Sequence, residues 1–165
     1  MTTQTYVAAT PEDIPAIQRL ERGEGFADWV GRWSAEEHLR EMATGSEYRL
    51  LLESGAPVGF VLLQKSVLAD ACLLLRRIAV VEPGRGLGSA LLKDTLRHGF
   101  TERAAHRIEL MVYVDNARAR AAYATAGFRK EGNLREVRRT ADGNFRSMVL
   151  MSILRPEWEM AATAR

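Results

Sequence analysis

Three glycines alternate at positions 84, 86 and 88, between an apolar stretch and an amphipathic one. The preceding Leu73–Val80 is predicted to be a strand, and the residues from Leu87 to about Phe100 have the apolar spacing of a helix. Such a loop can present backbone N–H groups beside the positive end of a helix dipole, where phosphate binds. Because a plain strand-to-helix turn needs only one glycine, the pattern favours a phosphate or pyrophosphate site.

Two well-known phosphate loops do not fit this segment. A Walker loop requires Lys-Ser or Lys-Thr after its last glycine, and here Ser89-Ala90 follows. A dinucleotide fingerprint requires a third glycine three residues after the second, and that position is Ser89 or Leu91, depending on the starting glycine. The sequence therefore argues against a general nucleotide-binding protein.

Strands and helices are predicted along the whole chain. Helices are expected after Thr10, from Ser34 to about Ala43, from Leu87 to about Phe100 and over Asn116–Ala126. Strands are expected at Tyr6–Ala9, Tyr48–Leu52, Val58–Gln64, Leu73–Val80, Arg107–Val114, Phe128–Val137 and Arg146–Leu154. This order predicts a mixed α/β (α+β) fold with a largely antiparallel central sheet, flanking helices and one or two crossover helices. The 165 residues suit a single domain, 1–165, with a frayed polar tail over 155–165.

The composition excludes several classes of protein. The net charge is only +2, from 23 basic and 21 acidic residues, so nucleic acid is not expected as a partner. The single cysteine, Cys72, cannot form an internal disulfide, which suits the cytoplasm. No metal is expected, because His38, His98 and His106 are not at ligand spacing. No apolar run approaches the ~18 residues of a membrane span, and the first residues do not resemble a signal peptide, so no membrane association is expected.

A second motif places Asn116 and Tyr123 seven residues apart on a predicted helix, hence on one face. Asn116 is a good N-cap, and its amide could equally contact a ligand. The Tyr123 hydroxyl could protonate a departing thiolate, or the ring could pack in the core beside Phe128. The spacing alone leaves both alternatives open.

These two motifs together resemble the GNAT superfamily of N-acetyltransferases. Asn116–Phe128 matches every fixed position of Asn-x-x-Ala-x-x-x-Tyr-x-x-x-Gly-Phe, and Gly86-Leu87-Gly88 fits the second half of Gln/Arg-x-x-Gly-x-Gly/Ala. The first slot of that loop pattern holds Pro83, so Arg85 is expected to supply the missing cation.

The resemblance extends from about Thr5 to Trp158. The strand Leu75–Val80 and the ending Leu154–Trp158 look most like the RimJ/RimL-like branch of the superfamily.

The resemblance implies that acetyl-CoA is the co-substrate and that an amine, on a small molecule or a protein N-terminus, attacks it directly in a ternary complex. It assigns Tyr123 as the proton donor to the leaving sulfur. Related enzymes often carry an acidic base at the position of Met111, so the candidate bases here are Glu109, two residues earlier on the same strand face, and Glu24. Acetyl-CoA would be bound mainly by backbone groups, at Ile78, Ala79, Val80, Arg85, Gly86, Leu87, Gly88, Ser89 and Asn116. The alternatives are a non-catalytic acetyl-CoA sensor and an acetyl-Cys72 route, although Cys72 has no nearby histidine in sequence and a buried thiol is favoured.

The amine acceptor is expected to meet the aromatic residues Phe26, Trp29 and Trp33, which lie among acidic side chains that suit a cationic amine. The opposing loop Arg138–Phe145 would line the same site. The alternative is that Trp29 and Trp33, four residues apart, form one apolar helix face packed on the core. The sequence does not identify the acceptor, and it leaves a homodimer open.

Overall fold

The computed structural model describes residues 3–164, which form seven strands and five α-helices. The strands are β1 (Gln4–Ala8), β2 (Glu47–Glu53), β3 (Ala56–Lys65), β4 (Cys72–Val80), β5 (Arg107–Tyr113), β6 (Arg129–Arg139) and β7 (Phe145–Leu154). The helices are α1 (Ile14–Glu21), α2 (Ala35–Ala43), α3 (Leu87–Arg97), α4 (Ala117–Thr125) and α5 (Arg155–Thr163). A 3₁₀ turn at Pro11–Asp13 leads into α1, and a π-helical turn at His98–Glu102 follows α3.

The chain forms two compact units. The first comprises residues up to 65 together with 75–96, and the second comprises 66–74 together with the residues from 97 onwards. In the first unit β1 pairs with β2 and β2 with β3, both antiparallel. One face of these strands carries α1, with a core of Ile17, Leu20, Tyr48, Leu50, Phe60, Leu62 and Ala79.

In the second unit, the first residues of β4 pair in parallel with β5, through Cys72–Leu74 and Arg107–Glu109. Strand β7 lies between β5 and β6 and is antiparallel to both. The mixed α/β fold with its largely antiparallel sheet is therefore confirmed. That residues 1–165 act as a single acetyltransferase domain stays a prediction.

The expected frayed tail from Arg155 is wrong for Arg155–Thr163, which form α5. The Glu157 carboxylate accepts the Leu154 N–H at 2.9 Å, which caps the helix start. The Trp158 ring packs on Phe100 with ring centroids 5.3 Å apart, and the Arg155 guanidinium donates to the Phe100 carbonyl. Packing onto a distant part of the chain therefore orders a segment that looks polar in sequence. No helix within residues 3–164 is long and apolar enough to cross a membrane.

Candidate functional site

The glycine loop belongs to the first unit, and two of its three glycines have a left-handed backbone. Gly84 has φ of +90° and Gly86 has φ of +79°, whereas Gly88 has no positive φ. A side-chain carbon placed at any of the three would meet no atom within 4 Å. At Gly84 and Gly86 glycine is therefore required by backbone conformation, and the space above the loop is open to a ligand.

Helix α3 begins at Leu87, so Gly88 is its second residue. Its first intrahelical hydrogen bond runs from the Ala90 N–H to the Gly86 carbonyl at 3.0 Å. The N–H groups of Leu87, Gly88 and Ser89 precede that bond and so are not used inside the helix. They lie at the positive end of the helix dipole, as an anion site requires.

Arg85, the expected cation of the loop, lies between two carboxylates. Its guanidinium is 3.0 Å from Glu53 and 3.4 Å from Glu82. These two partners raise the pKa of Arg85. Contact between Arg85 and a phosphate would therefore compete with two existing ion pairs.

Strand β4 leads directly to the loop and carries the predicted backbone contacts for acetyl-CoA. Ile78 is half-buried, whereas Ala79 and Val80 are buried. A side-chain carbon at Gly59 would lie 3.0 Å from Val80 and 3.2 Å from Leu91, so β3, β4 and α3 pack closely. The strand before the loop is thus closely packed within the first unit.

Helix α4, in the second unit, carries the second motif. Asn116 is its N-cap, because the side-chain oxygen accepts the Ala119 N–H at 3.2 Å. The half-buried Tyr123 ring meets Phe128 edge to face, with centroids 5.8 Å apart. Burial raises the pKa of the Tyr123 hydroxyl to about 12, so the group stays protonated at neutral pH. The ring contact and the retained proton occur together, so the two interpretations of Tyr123 are compatible.

Glu109, the predicted base, is only 1% exposed and is fully engaged. One carboxylate oxygen accepts the Ser66 hydroxyl, and the other accepts the Arg107 Nε–H at 3.0 Å. Arg107 also binds Glu131 through two hydrogen bonds of 2.5 and 2.7 Å. Both carboxylate oxygens are therefore occupied by hydrogen bonds and shielded from an incoming amine.

The single thiol is also buried. Cys72 is 3% exposed, and burial, followed by the nearby Glu109 charge, raises the pKa of its thiol. A nucleophilic cysteine needs a lowered pKa and access to the substrate. Among the residues that the structure describes, no three His, Cys, Asp or Glu side chains come together as ligands for a metal ion.

The predicted acceptor residues lie on residues 22–33, called here the acceptor segment. It consists of turns rather than a helix, so Trp29 and Trp33 do not share a helix face. Phe26 and Trp33 are partly buried against the core of the first unit, and Trp29 is half-buried.

A buried polar cluster beside this segment has no counterpart among the residues predicted from the sequence. Glu21, His38, Tyr48 and Arg77 are each at most 7% exposed. Arg77 stands out in retrospect, because it interrupts the apolar strand β4 with a buried charge. Its partner Glu21 is 56 residues away in sequence, so no local pattern could have paired them.

Solved structures with a similar fold include several N-acetyltransferases. A spermidine N-acetyltransferase mutant from Vibrio cholerae aligns with a TM-score of 0.80 and 21% identity, covering 96% of this chain and 98% of that one. The ribosomal-protein-S18-alanine N-acetyltransferase from Escherichia coli aligns with a TM-score of 0.76 and 24% identity, covering 92% and 94%. A ribosomal-protein-alanine N-acetyltransferase from Brucella melitensis aligns with a TM-score of 0.75 and 20% identity, covering 91% and 99%. At these identities the likeness shows the fold alone.

The family assignment comes from the sequence. Residues 14–128 match the model of the acetyltransferase (GNAT) family, a span of more than half of the chain and one that contains both motifs. The chain therefore belongs to the GNAT acetyltransferase family and is an acetyl-CoA-dependent acetyltransferase.

Proposed function

We propose that this acetyltransferase moves the acetyl group of acetyl-CoA onto an amine by direct attack in a ternary complex. The observation that carries the proposal is the burial of the single thiol, Cys72, which is 3% exposed and has a raised pKa. The pKa of the Tyr123 hydroxyl is also raised, so this group keeps its proton at neutral pH. The chain thus carries a proton donor for a leaving thiolate, and its cysteine is poorly suited to act as a covalent nucleophile.

Acetyl-CoA binding is assigned to backbone groups of β4 and the glycine loop. The N–H groups of Leu87, Gly88 and Ser89 take the pyrophosphate, together with the loop backbone at Arg85 and Gly86. Backbone groups of Ile78–Val80 bind the pantetheine amides, and one N–H polarises the thioester carbonyl. Asn116 contributes by capping α4, which fixes the helix that carries Tyr123.

In the reaction, the amine nitrogen attacks the thioester carbonyl carbon and forms the new C–N bond. The C–S bond then breaks, and Tyr123 gives its proton to the sulfur of the departing CoA. The attacking amine must lose a proton. Because Glu109 is buried and paired with Arg107, we assign that step to the exposed Glu24 or to water. Glu109 instead links the β3–β4 loop to β5 through Ser66.

The acceptor is proposed to be a cationic amine, on a small molecule or at a protein N-terminus. The acceptor segment offers the half-buried Trp29 and the exposed carboxylates of Glu24 and Asp28, which suit a cation. Proteins of similar fold are described as acetylating spermidine or the alanine of a ribosomal protein. Both kinds of acceptor have an amine that is cationic at neutral pH.

A Cys72→Ala variant tests the direct route. We expect its rate of thiol release from acetyl-CoA, with spermidine or an alanine-terminated peptide as acceptor, to stay within about twofold of wild type. Intact-protein mass spectrometry after incubation with acetyl-CoA alone should detect no acetylated enzyme. A folded Cys72→Ala protein without activity, together with acetyl-Cys72 in wild type, would replace direct transfer by a ping-pong route.

A further inference from the structure

The buried polar cluster of the first unit is centred on an ion pair between Arg77 and Glu21. The Arg77 Nη1 lies 2.8 Å from the Glu21 Oε2, and both side chains are almost fully removed from solvent. Burying two charges costs several kcal/mol per ion, and an apolar pair of similar size would often be as stable. Stability alone is therefore a weak reason for an arginine and a glutamate at these positions.

Arg77 also holds the end of the acceptor segment. Its guanidinium donates to the Gly31 carbonyl and lies over the Trp33 ring, 3.8 Å from the ring centroid. A side-chain carbon at Gly31 would lie 2.8 Å from the Arg77 Nη2, so the segment passes directly against the guanidinium. In sequence, Arg77 immediately precedes Ile78, the first residue assigned to bind the pantetheine arm.

Glu21 holds the same segment from helix α1. Its Oε1 accepts the Trp33 N–H at 3.2 Å. The Trp33 carbonyl in turn accepts from the Gln18 side chain at 3.0 Å and from the Arg22 guanidinium at 3.1 Å. Both backbone groups of Trp33 are therefore bound by side chains from α1 and the residue that follows it.

A buried histidine connects this pair to α2 and β2. The His38 Nε2 is 3.3 Å from Glu21, and the His38 Nδ1 is 3.0 Å from the Tyr48 hydroxyl. Burial raises the pKa of Tyr48, so its hydroxyl keeps its proton. Through its two ring nitrogens His38 joins Glu21 to Tyr48 and completes a chain of contacts around one end of the acceptor segment.

We propose that Arg77 and Glu21 are positioning residues, which fix the acceptor segment against β4 so that the amine meets the thioester in a reactive geometry. The inference rests on the proposed function, because it assumes that residues 22–33 contact the amine. Neither Arg77 nor Glu21 is proposed to contact the substrate. Their loss should reduce amine-dependent catalysis, since a displacement of about 1 Å can cost roughly 10²-fold in rate, and acetyl-CoA binding should be retained.

The first unit contains a matched control. Arg49 and Asp94 form another ion pair with little exposure, with an N–O distance of 3.3 Å between β2 and α3. Neither residue lies in the acceptor segment, and the hydrogen bond between them joins β2 to α3. Asp94→Asn should therefore lower the melting temperature as Glu21→Gln does, without the same effect on the amine.

The experiment compares Arg77→Lys, Glu21→Gln, Glu21→Gln/Arg77→Met and Asp94→Asn with wild type. The double variant leaves neither charge unpaired, so it should recover much of the lost melting temperature. We measure kcat and KM with spermidine and with an alanine-terminated peptide, the thermal shift caused by acetyl-CoA, and amide hydrogen exchange of residues 22–33 in the full chain.

We expect kcat/KM for the amine to fall roughly 10²-fold in the three variants at Arg77 and Glu21, including the stabilised double variant. KM for acetyl-CoA should stay within about twofold, and hydrogen exchange should rise in residues 22–33 but not over Cys72–Val80. Asp94→Asn should keep wild-type kinetics. Recovery of amine kinetics together with melting temperature in the double variant would overturn the inference, and so would equal losses for both substrates.

The exchange measurement needs no acceptor. If wild type binds acetyl-CoA but acetylates neither amine, the proposed acceptor class fails, and the exchange pattern still decides whether Arg77 and Glu21 hold this segment. Unchanged exchange in residues 22–33 of Arg77→Lys would then overturn the inference.

Discussion

The proposed acetyl transfer depends on single residues, and Tyr123 is the first of them to test. Its hydroxyl is desolvated, and its pKa is raised to about 12. A raised tyrosine pKa means that the proton is retained as the pH increases, so the acid form persists well beyond the ordinary value of 10. A proton donor of this kind is available over the whole range in which proteins are normally assayed.

Tyr123→Phe should lower kcat by roughly 10²–10⁴-fold, the usual contribution of general acid–base groups. Acetyl-CoA affinity should change little, because the ring that packs on Phe128 remains. In wild type, kcat measured up to pH 10 should not decrease along a titration curve centred near pH 10. The control is Tyr113→Phe, which removes a hydroxyl from β5 instead of α4. A wild-type pre-steady-state rate in Tyr123→Phe would mean that the tyrosine is structural.

Glu131 allows a prediction about pH and stability. Hydrogen bonds from Arg107, then from Ser152, lower the pKa of Glu131 from 4.5 to about 2. A lowered carboxylate pKa stabilises the folded state fully above the unfolded value, and this stabilisation is lost as the pH falls towards the folded value. The free-energy difference between wild type and Glu131→Gln should thus be constant above about pH 5 and shrink between pH 4.5 and 2.

Urea unfolding at several pH values measures this difference. Glu136→Gln, a change to an exposed carboxylate on the same strand, serves as the control for general charge effects. A difference that is as large at pH 2.5 as at pH 6 would show that the Arg107–Glu131 pair contributes nothing through charge.

At the scale of elements, the loop between β4 and α3 should determine acetyl-CoA binding. Gly86→Val forces a β-branched residue into a φ of +79°, which should displace the N–H groups of Leu87 and Gly88. Acetyl-CoA at ~100 times its Kd should stabilise wild type by ~2.7 kcal/mol, and most of this gain should disappear in the variant.

Gly45→Val is the matched control for that experiment. Gly45 follows α2 with φ of +87° and has no atom within 4 Å of an added side-chain carbon, as at Gly86. Both variants should lose comparable intrinsic stability, and only Gly86→Val should lose the response to acetyl-CoA. Equal stabilisation of the two variants by acetyl-CoA would show that the loop is not part of the acetyl-CoA site.

Elements with local signals could be predicted from the sequence, and those that depend on distant partners could not. The helix expected from Ser34 is confirmed: it begins with a capping box in which Ser34 and Glu37 exchange hydrogen bonds of 3.1 and 2.7 Å, and both partners lie within one helical turn. Helix α5 was missed because its anchor, Phe100, lies 58 residues before Trp158. The roles assigned to individual site residues stay predictions. Binding by backbone groups does not require particular side chains, so the sequence gives little indication of it.

The whole molecule has the GNAT fold and a small net charge of +2. The acceptor must therefore be selected by local groups and not by the electrostatic field of the whole protein. The family match establishes acetyl-CoA-dependent chemistry, and the acceptor segment with its exposed acidic residues makes a cationic amine the proposed recipient. Transfer of the acetyl group to an amine is therefore the function proposed for the whole molecule.

The most direct test incubates wild type with isotopically labelled acetyl-CoA, with and without spermidine or an alanine-terminated peptide. Thiol release and the mass of the amine are followed together. We expect thiol release that depends on the amine and matches, mole for mole, the formation of a labelled N-acetyl product. Acetyl-CoA consumption at the same rate without amine, or binding of acetyl-CoA with no labelled amine from either acceptor, would contradict it.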